Sequence, residues 1–229
     1  MTTRRSPTRT PAYDVAAAVK ALRDADPKLA KLIARAGDFS LRLASGQSTF
    51  EALAESIVYQ QLHGKAAATI HARMIESFGG IHPTPELLLA VPDGQLRAAG
   101  LSGNKALALR DLAAKTLDGT VPTMAKARRM SDEAIIEQLT QVRGIGRWTV
   151  EMMLIFRLGR PDVLPVTDYG VRKGFALTYL GLKPRDKVTP DILPTPAQIQ
   201  KRAERWKPWR SVASWYMWRA CDVAAGKIE

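Results

Sequence analysis

The chain of 229 residues carries 34 Lys and Arg against 22 Asp and Glu, a formal net charge of +12, with 46% hydrophobic residues and one cysteine. This length and composition suit one large domain or two compact lobes around a real core, and they exclude global disorder. A lone Cys221 excludes an internal disulfide, a cysteine-ligated zinc site and a four-cysteine iron–sulfur cluster, and it points to a reducing compartment.

Residues 1–11, with Arg4, Arg5, Arg9 and two prolines, are expected to form a disordered basic arm. The apolar stretch that follows is short and broken by Asp14 and Lys20, so it does not read as a signal peptide. No run reaches the ~18 consecutive apolar residues of a membrane span, and no membrane partner is expected. Apolar residues then recur at helical spacing, as in Phe50, Leu53, Ala54, Ile57 and Val58 and again in Ala106, Leu109, Leu112 and Ala113. Ser48 with Glu51 fits a capping box, Ser102 and Ser131 mark further starts, and glycines at 79–80, 100, 119 and 181 mark stops. This punctuation predicts an all-α protein of about ten helices, without convincing strand alternation. Residues 183–196, with four prolines, read as loop. The expected organisation is a central lobe over 46–166, containing a helix-hairpin-helix at 137–157, and a terminal lobe made of 12–45 with 167–229. Such an arrangement of two helical lobes would leave an active-site cleft between them.

Two segments carry chemistry. In the first, an apolar helical pattern with Leu139 and Val142 meets Gly144-Ile145-Gly146-Arg147-Trp148-Thr149, and a second helix begins at once. Two glycines permit positive φ and let a phosphate approach the backbone, while N–H groups at the start of the second helix favour an anion. A DNA backbone meets that requirement without base reading, and the excess positive charge also points to a polyanionic partner. In the second, Asp162-Val-Leu-Pro165-Val-Thr-Asp168-Tyr169, a proline ends an apolar run and Asp168 stands just before a helix. Asp168 fits an N-cap, and a capping carboxylate can also face a sugar across a cleft.

Together these residues resemble the helix-hairpin-helix (HhH-GPD) superfamily of DNA glycosylases, and within it the 3-methyladenine DNA glycosylase II family. Arg202-Ala-Glu-Arg-Trp-Lys-Pro-Trp-Arg-Ser211 and Ser56-Ile-Val-Tyr-Gln60-Gln61-Leu62 match that family in order and spacing, so the resemblance runs from about 40 to 221. It implies base flipping out of double-stranded DNA and hydrolysis of the N-glycosidic bond of alkylated purines such as 3-methyladenine and 7-methylguanine. By the same resemblance Asp168 is catalytic, Gln61 and Leu62 wedge into the duplex, and Trp148, Met152, Trp218 and Tyr169 line the base pocket. Gly144, Gly146, Arg147 and Thr149 would contact the DNA backbone. Carbonyls of Thr140, Val142 and Ile145 would hold a structural Na⁺ or K⁺, with no other cofactor required and no iron–sulfur cluster. Trp206, Trp209 and Trp215 read as core, and Met152 stands where a better-known bacterial relative has an aromatic residue.

An alkylated purine is often cationic, and an aromatic face attracts a cation by about 0.5–2 kcal/mol, giving selectivity without base-specific hydrogen bonds. Bifunctional relatives carry a nucleophilic lysine where this chain has Trp148, so a monofunctional enzyme leaving an abasic site is expected. Arg143, Arg147, Arg172, Lys173, Lys201, Arg202, Arg205, Lys207 and Arg210 are candidate phosphate contacts. A non-catalytic hairpin module that only grips DNA accounts for the charge but leaves Asp168 and Trp218 without a purpose. A glycosylase for oxidised or mismatched bases fits less well, given Trp148 and the cysteine count. A monomeric, cytoplasmic protein of bacterial type, held at the nucleoid through DNA, completes the expectation.

Overall fold

The computed structural model describes residues 8–228. In chain order it contains β1 (Thr8–Arg9), α1 (Val15–Ala25), α2 (Pro27–Ala36), β2 (Leu43–Ala44), α3 (Thr49–Tyr59), α4 (Gly64–Ser77), α5 (Pro85–Ala90) and α6 (Asp93–Ala98). Then come α7 (Gly103–Leu117), α8 (Met124–Ala127), α9 (Asp132–Leu139), α10 (Arg147–Met153), a π-helical turn (Leu154–Leu158), α11 (Tyr169–Tyr179), α12 (Pro196–Ala203) and α13 (Arg210–Ala224). Single 3-10 turns occupy Pro190–Ile192 and Glu204–Trp206, the first inside the expected loop.

The all-α expectation holds, with one small exception. Thr8–Arg9 pairs antiparallel with Leu43–Ala44, so the end of the expected disordered arm is ordered by a two-residue ladder. Arg4 and Arg5 lie outside the described residues.

The chain forms two compact units, Gly46–Met153 and a terminal one that joins the described residues up to Ser45 with those from Leu154 onward. The sequence had placed 154–166 in the central lobe. Interactions along that stretch tie it to the terminal unit instead. Phe156 stacks on Trp218 at 5.3 Å, Arg210 forks onto Asp162 at 2.7 and 2.9 Å, and Val163 N–H donates to Ser211 Oγ at 2.9 Å.

Within the central unit the local signals are realised as expected. Ser48 and Glu51 form a reciprocal capping box at α3, and Ser102 and Ser131 cap α7 and α9. Leu53, Ile57, Leu109, Leu112, Ile135 and Leu139 supply its core. Each such side chain contributes about 1.5–3 kcal/mol when fully buried.

In the terminal unit α11 packs on α13 so closely that a Cβ at Gly174 would collide with the Met217 backbone carbonyl. Its polar centre is Asp26, fully buried as the N-cap of α2. Asp26 accepts from Arg202 (2.8 and 2.6 Å), Tyr179 Oη (3.0 Å), Trp206 Nε1 (3.1 Å) and two backbone N–H groups. Burial pushes its carboxyl up, but the Arg202, Trp206, Leu29 N–H and Tyr179 donors outweigh that and hold it down at about 2.

Candidate active site and DNA-binding elements

The terminal unit builds a fixed carboxylate. Asp168 is the N-cap of α11, its Oδ1 accepting from Val171 N–H at 2.8 Å and from Trp218 Nε1 at 2.7 Å. The first bond comes from the local capping rule. The second reaches across from α13 and sets the carboxylate's orientation. Trp218 is itself held, because the π turn carries Phe156 onto one face of the indole, 29° from parallel.

Gly170 completes the arrangement. A Cβ there would stand 2.6 Å from Trp218 Cδ1 and 3.2 Å from Asp168 Oδ1, so only glycine admits this contact. Neither Gly170 nor Phe156 was singled out from sequence. The Asp-Tyr-Gly spacing could have suggested the first, but nothing local marks the second. Of the expected pocket residues, Trp218 therefore has one face already occupied and serves as Asp168's donor. Tyr169 is exposed at the start of α11. Trp206 and Trp215 are buried, as expected of core residues, and Trp209 packs on Tyr13.

The central unit carries the hairpin. Between α9 and α10 the chain turns through Gly144 at φ +77°. Gly146, which was free to adopt positive φ, does not, and its carbonyl accepts from Val150 N–H as the first helical bond of α10. A Cβ at Gly146 would meet nothing within 4 Å, so no neighbour within the fold demands glycine there. Trp148 is 44% exposed, and Met152 lies one turn further along α10, half-buried. Thr149 is buried, so its side chain is not offered to solvent.

The expected wedge follows α3. Gln61 adopts φ +58°, a left-handed conformation rare for residues other than glycine, and Leu62 beside it is 39% exposed.

Several expected phosphate contacts turn out to be internal. Arg202 is committed to Asp26 and Arg210 to Asp162, and Arg172 donates to Pro194 O, whereas Lys207 makes only an exposed pair with Glu204 three residues before it. Arg202 and Arg210 of the basic C-terminal motif thus brace the terminal unit, because each guanidinium meets a carboxylate far away in the sequence. Arg147 is also paired, with Glu133 (2.8 Å) and with the buried Glu151 (3.0 Å). Lys173, Lys201 and Arg205 remain candidates, the last two exposed.

No group of three or more His, Cys, Asp or Glu residues that could hold a metal occurs among the described residues. At the hairpin, the carbonyls of Thr140, Val142 and Ile145 are neutral hard oxygens, of the type that binds hard cations. Val142 O already accepts from Ile145 N–H at 3.0 Å. No helix among the described residues is long and apolar enough to cross a membrane.

The hairpin, the capped aspartate and the helical architecture define a class of DNA-acting protein. Residues 54–208 match the HhH-GPD superfamily of base excision DNA repair proteins, and the chain belongs to that family. It is similar to DNA-3-methyladenine glycosylase 1 of Schizosaccharomyces pombe, 40% identical over 176 residues, which cover 76% of this chain and 73% of the relative. The solved structure of the S. pombe 3-methyladenine DNA glycosylase in complex with abasic DNA superposes with a TM-score of 0.75 at 36% identity, covering 88% of this chain and 95% of that one. A DNA-3-methyladenine glycosidase from Bacillus halodurans gives 0.78 at 32% identity, covering 92% of both chains.

Proposed function

We propose that this protein is a monofunctional glycosylase that flips alkylated purines, 3-methyladenine and 7-methylguanine foremost, out of duplex DNA and hydrolyses their N-glycosidic bonds to leave abasic sites. The observation that carries the reading is the Asp168 carboxylate, fixed by Val171 N–H at 2.8 Å and Trp218 Nε1 at 2.7 Å. As the bond to the purine breaks, C1′ and the ring oxygen take on oxocarbenium charge. A carboxylate oriented in advance stabilises that charge without reorganising at the moment of reaction. It then orients, or takes a proton from, the water that attacks C1′.

A purine alkylated at N3 or N7 leaves as a neutral base and needs no general acid. The exposed indole of Trp148 offers a face to such a cation, with Met152 one turn away supplying soft apolar surface. Trp148 has no amine, so no Schiff base forms with the sugar and the strand is not nicked. Gln61 and Leu62 would fill the gap left by the flipped base. Gly144, Gly146, Arg147 and the Thr149 backbone would meet the phosphates, with the carbonyls of Thr140, Val142 and Ile145 holding Na⁺ or K⁺. Such an ion supplies positive charge beside the phosphates when bound. In this reading the protein acts as a monomer.

The test incubates wild type and Asp168→Asn with methylated duplex DNA, identifies released bases by chromatography, and scores strand breaks before and after alkali. Methylpurine release by wild type, a fall of about 10²-fold or more in the variant, and breaks only after alkali are expected. If both proteins bind DNA and neither releases a base, the chain is a binding module and the proposal fails.

A further inference from the structure

The loop that carries Gln61 and Leu62 is held in an unfavourable conformation by residues outside it. A left-handed residue other than glycine costs on the order of 1 kcal/mol or more, and it persists only where surrounding contacts over-determine it. Two contacts do so. Lys105, in the first turn of α7, sends its ammonium to the end of α3 and donates to Val58 O at 2.6 Å and Gln60 O at 2.8 Å. These carbonyls flank the C-terminus of α3, where backbone acceptors lack helical partners and a cation is favoured. Lys105 thus acts as a C-cap supplied by another helix. From the other side, Gln60 Nε2 donates to Gly144 O at 2.8 Å, tying the same loop to the hairpin turn. Gln61 is the residue immediately beyond both anchors.

We propose that Lys105 is a positioning residue for strand separation: by capping α3 from α7 it holds Gln61 in its left-handed conformation and presents Leu62 to the duplex in register with the hairpin. The inference rests on the reading of Gln61 and Leu62 as the wedge. Lys105 is half-buried, and desolvation there pulls its pKa below the usual lysine value, a cost that its two short bonds to carbonyl oxygens offset. A lysine serving only the stability of α7 would have no need to reach the last carbonyls of α3.

A wedge matters only where a base must be drawn from a stacked helix, so duplex and single-stranded substrates separate this role from a merely structural one. The experiment compares wild type, Lys105→Met and Lys105→Arg on one methylated oligonucleotide, single-stranded and annealed, in single-turnover excision. In parallel, fluorescence of 2-aminopurine next to an abasic-site analogue reports unstacking. Thermal melts accompany each variant. Lys105→Met is expected to lose about tenfold or more on the duplex, to stay within about threefold on the single strand, and to give a smaller 2-aminopurine signal. Arg, which can still donate to both carbonyls, is expected to recover most of the duplex rate. Should Met cost the fold, Lys105→Gln, still able to donate to one carbonyl, is read in its place. Equal losses on both substrates, or no loss on the duplex, overturn the positioning role while leaving the glycosylase reading intact. A wild type that excises nothing from either substrate overturns both.

Discussion

Replacing Gly170 by alanine tests how the Asp168 carboxylate, proposed as catalytic, is aimed. The added methyl would stand 2.6 Å from Trp218 Cδ1, 3.0 Å from its Nε1 and 3.2 Å from Asp168 Oδ1. Gly170 lies in the first turn of α11 with φ outside the positive region, so alanine meets no backbone penalty and gains up to ~1 kcal/mol of helix propensity. Carbon atoms settle at about 3.5–4.0 Å, so the indole must withdraw by about 1 Å. Phe156 blocks one face, and the movement takes Nε1 away from Asp168, breaking a 2.7 Å bond to a charged acceptor. Overpacking of this kind costs about 1–3 kcal/mol, and the helical gain offsets part of it, leaving a net loss of about 1–2 kcal/mol. The effect on rate is larger. A displacement of about 1 Å at a positioned group costs about 10²-fold. Single-turnover release of 7-methylguanine from duplex DNA, with a thermal melt of the same sample, reads both quantities. Trp218→Phe, which keeps an aromatic ring beside Phe156 but removes the Nε1 donor with part of the indole, should show a comparable loss of rate. A folded Gly170→Ala protein working within about threefold of wild type would refute the argument that the Trp218 bond aims Asp168.

Asp26 governs acid stability. Its carboxyl is held at about 2 in the folded protein against an ordinary value of 3.8. Its contribution is therefore complete above about pH 4 and is lost as pH falls through 4 to 2, amounting to about 2 kcal/mol. Asp26→Asn, which leaves Arg202 without its carboxylate, should cost about 3 kcal/mol near neutrality and flatten that acid limb. Urea midpoints at pH 7, 4 and 3 check it, and an unchanged pH profile in the variant would count against the Asp26 hub. At the hairpin, Glu133 holds Arg147 in an exposed pair, which in the proposed reading must be given up for Arg147 to meet a phosphate. Glu133→Gln should tighten binding to abasic-site duplex about fivefold and steepen its salt dependence by up to about one unit. Unchanged or weaker binding in a salt titration would show that Arg147 does not reach the backbone.

What could be read from the sequence was what depends on near neighbours. Ser48 with Glu51, Ser102, Ser131 and Asp168 all cap helices as expected, since a cap is a bond between residues three apart in the chain. The hairpin was legible for the same reason, although only Gly144 uses the conformational freedom attributed to both glycines. Recognition of Asp168 and Trp218 came from family resemblance. That Trp218 Nε1 bonds Asp168 Oδ1 belongs to the packing of α13 on α11.

Only the tertiary structure decided which charges are spoken for. Arg202 with Asp26, Arg210 with Asp162, and Lys105 with the end of α3 are separated along the chain by between 45 and 176 residues. Such pairs leave no period and no local signature. A basic residue destined for a buried carboxylate looks in sequence like one destined for solvent or phosphate. The assignment of 154–166 to the terminal unit has the same origin, because Phe156, Asp162 and Val163 find their partners on α13. Helical periodicity and capping specified the elements, since both act within a few residues. Long-range complementarity of shape and charge, which exists only once those elements are packed, decided which side chains brace the fold and which aim the carboxylate.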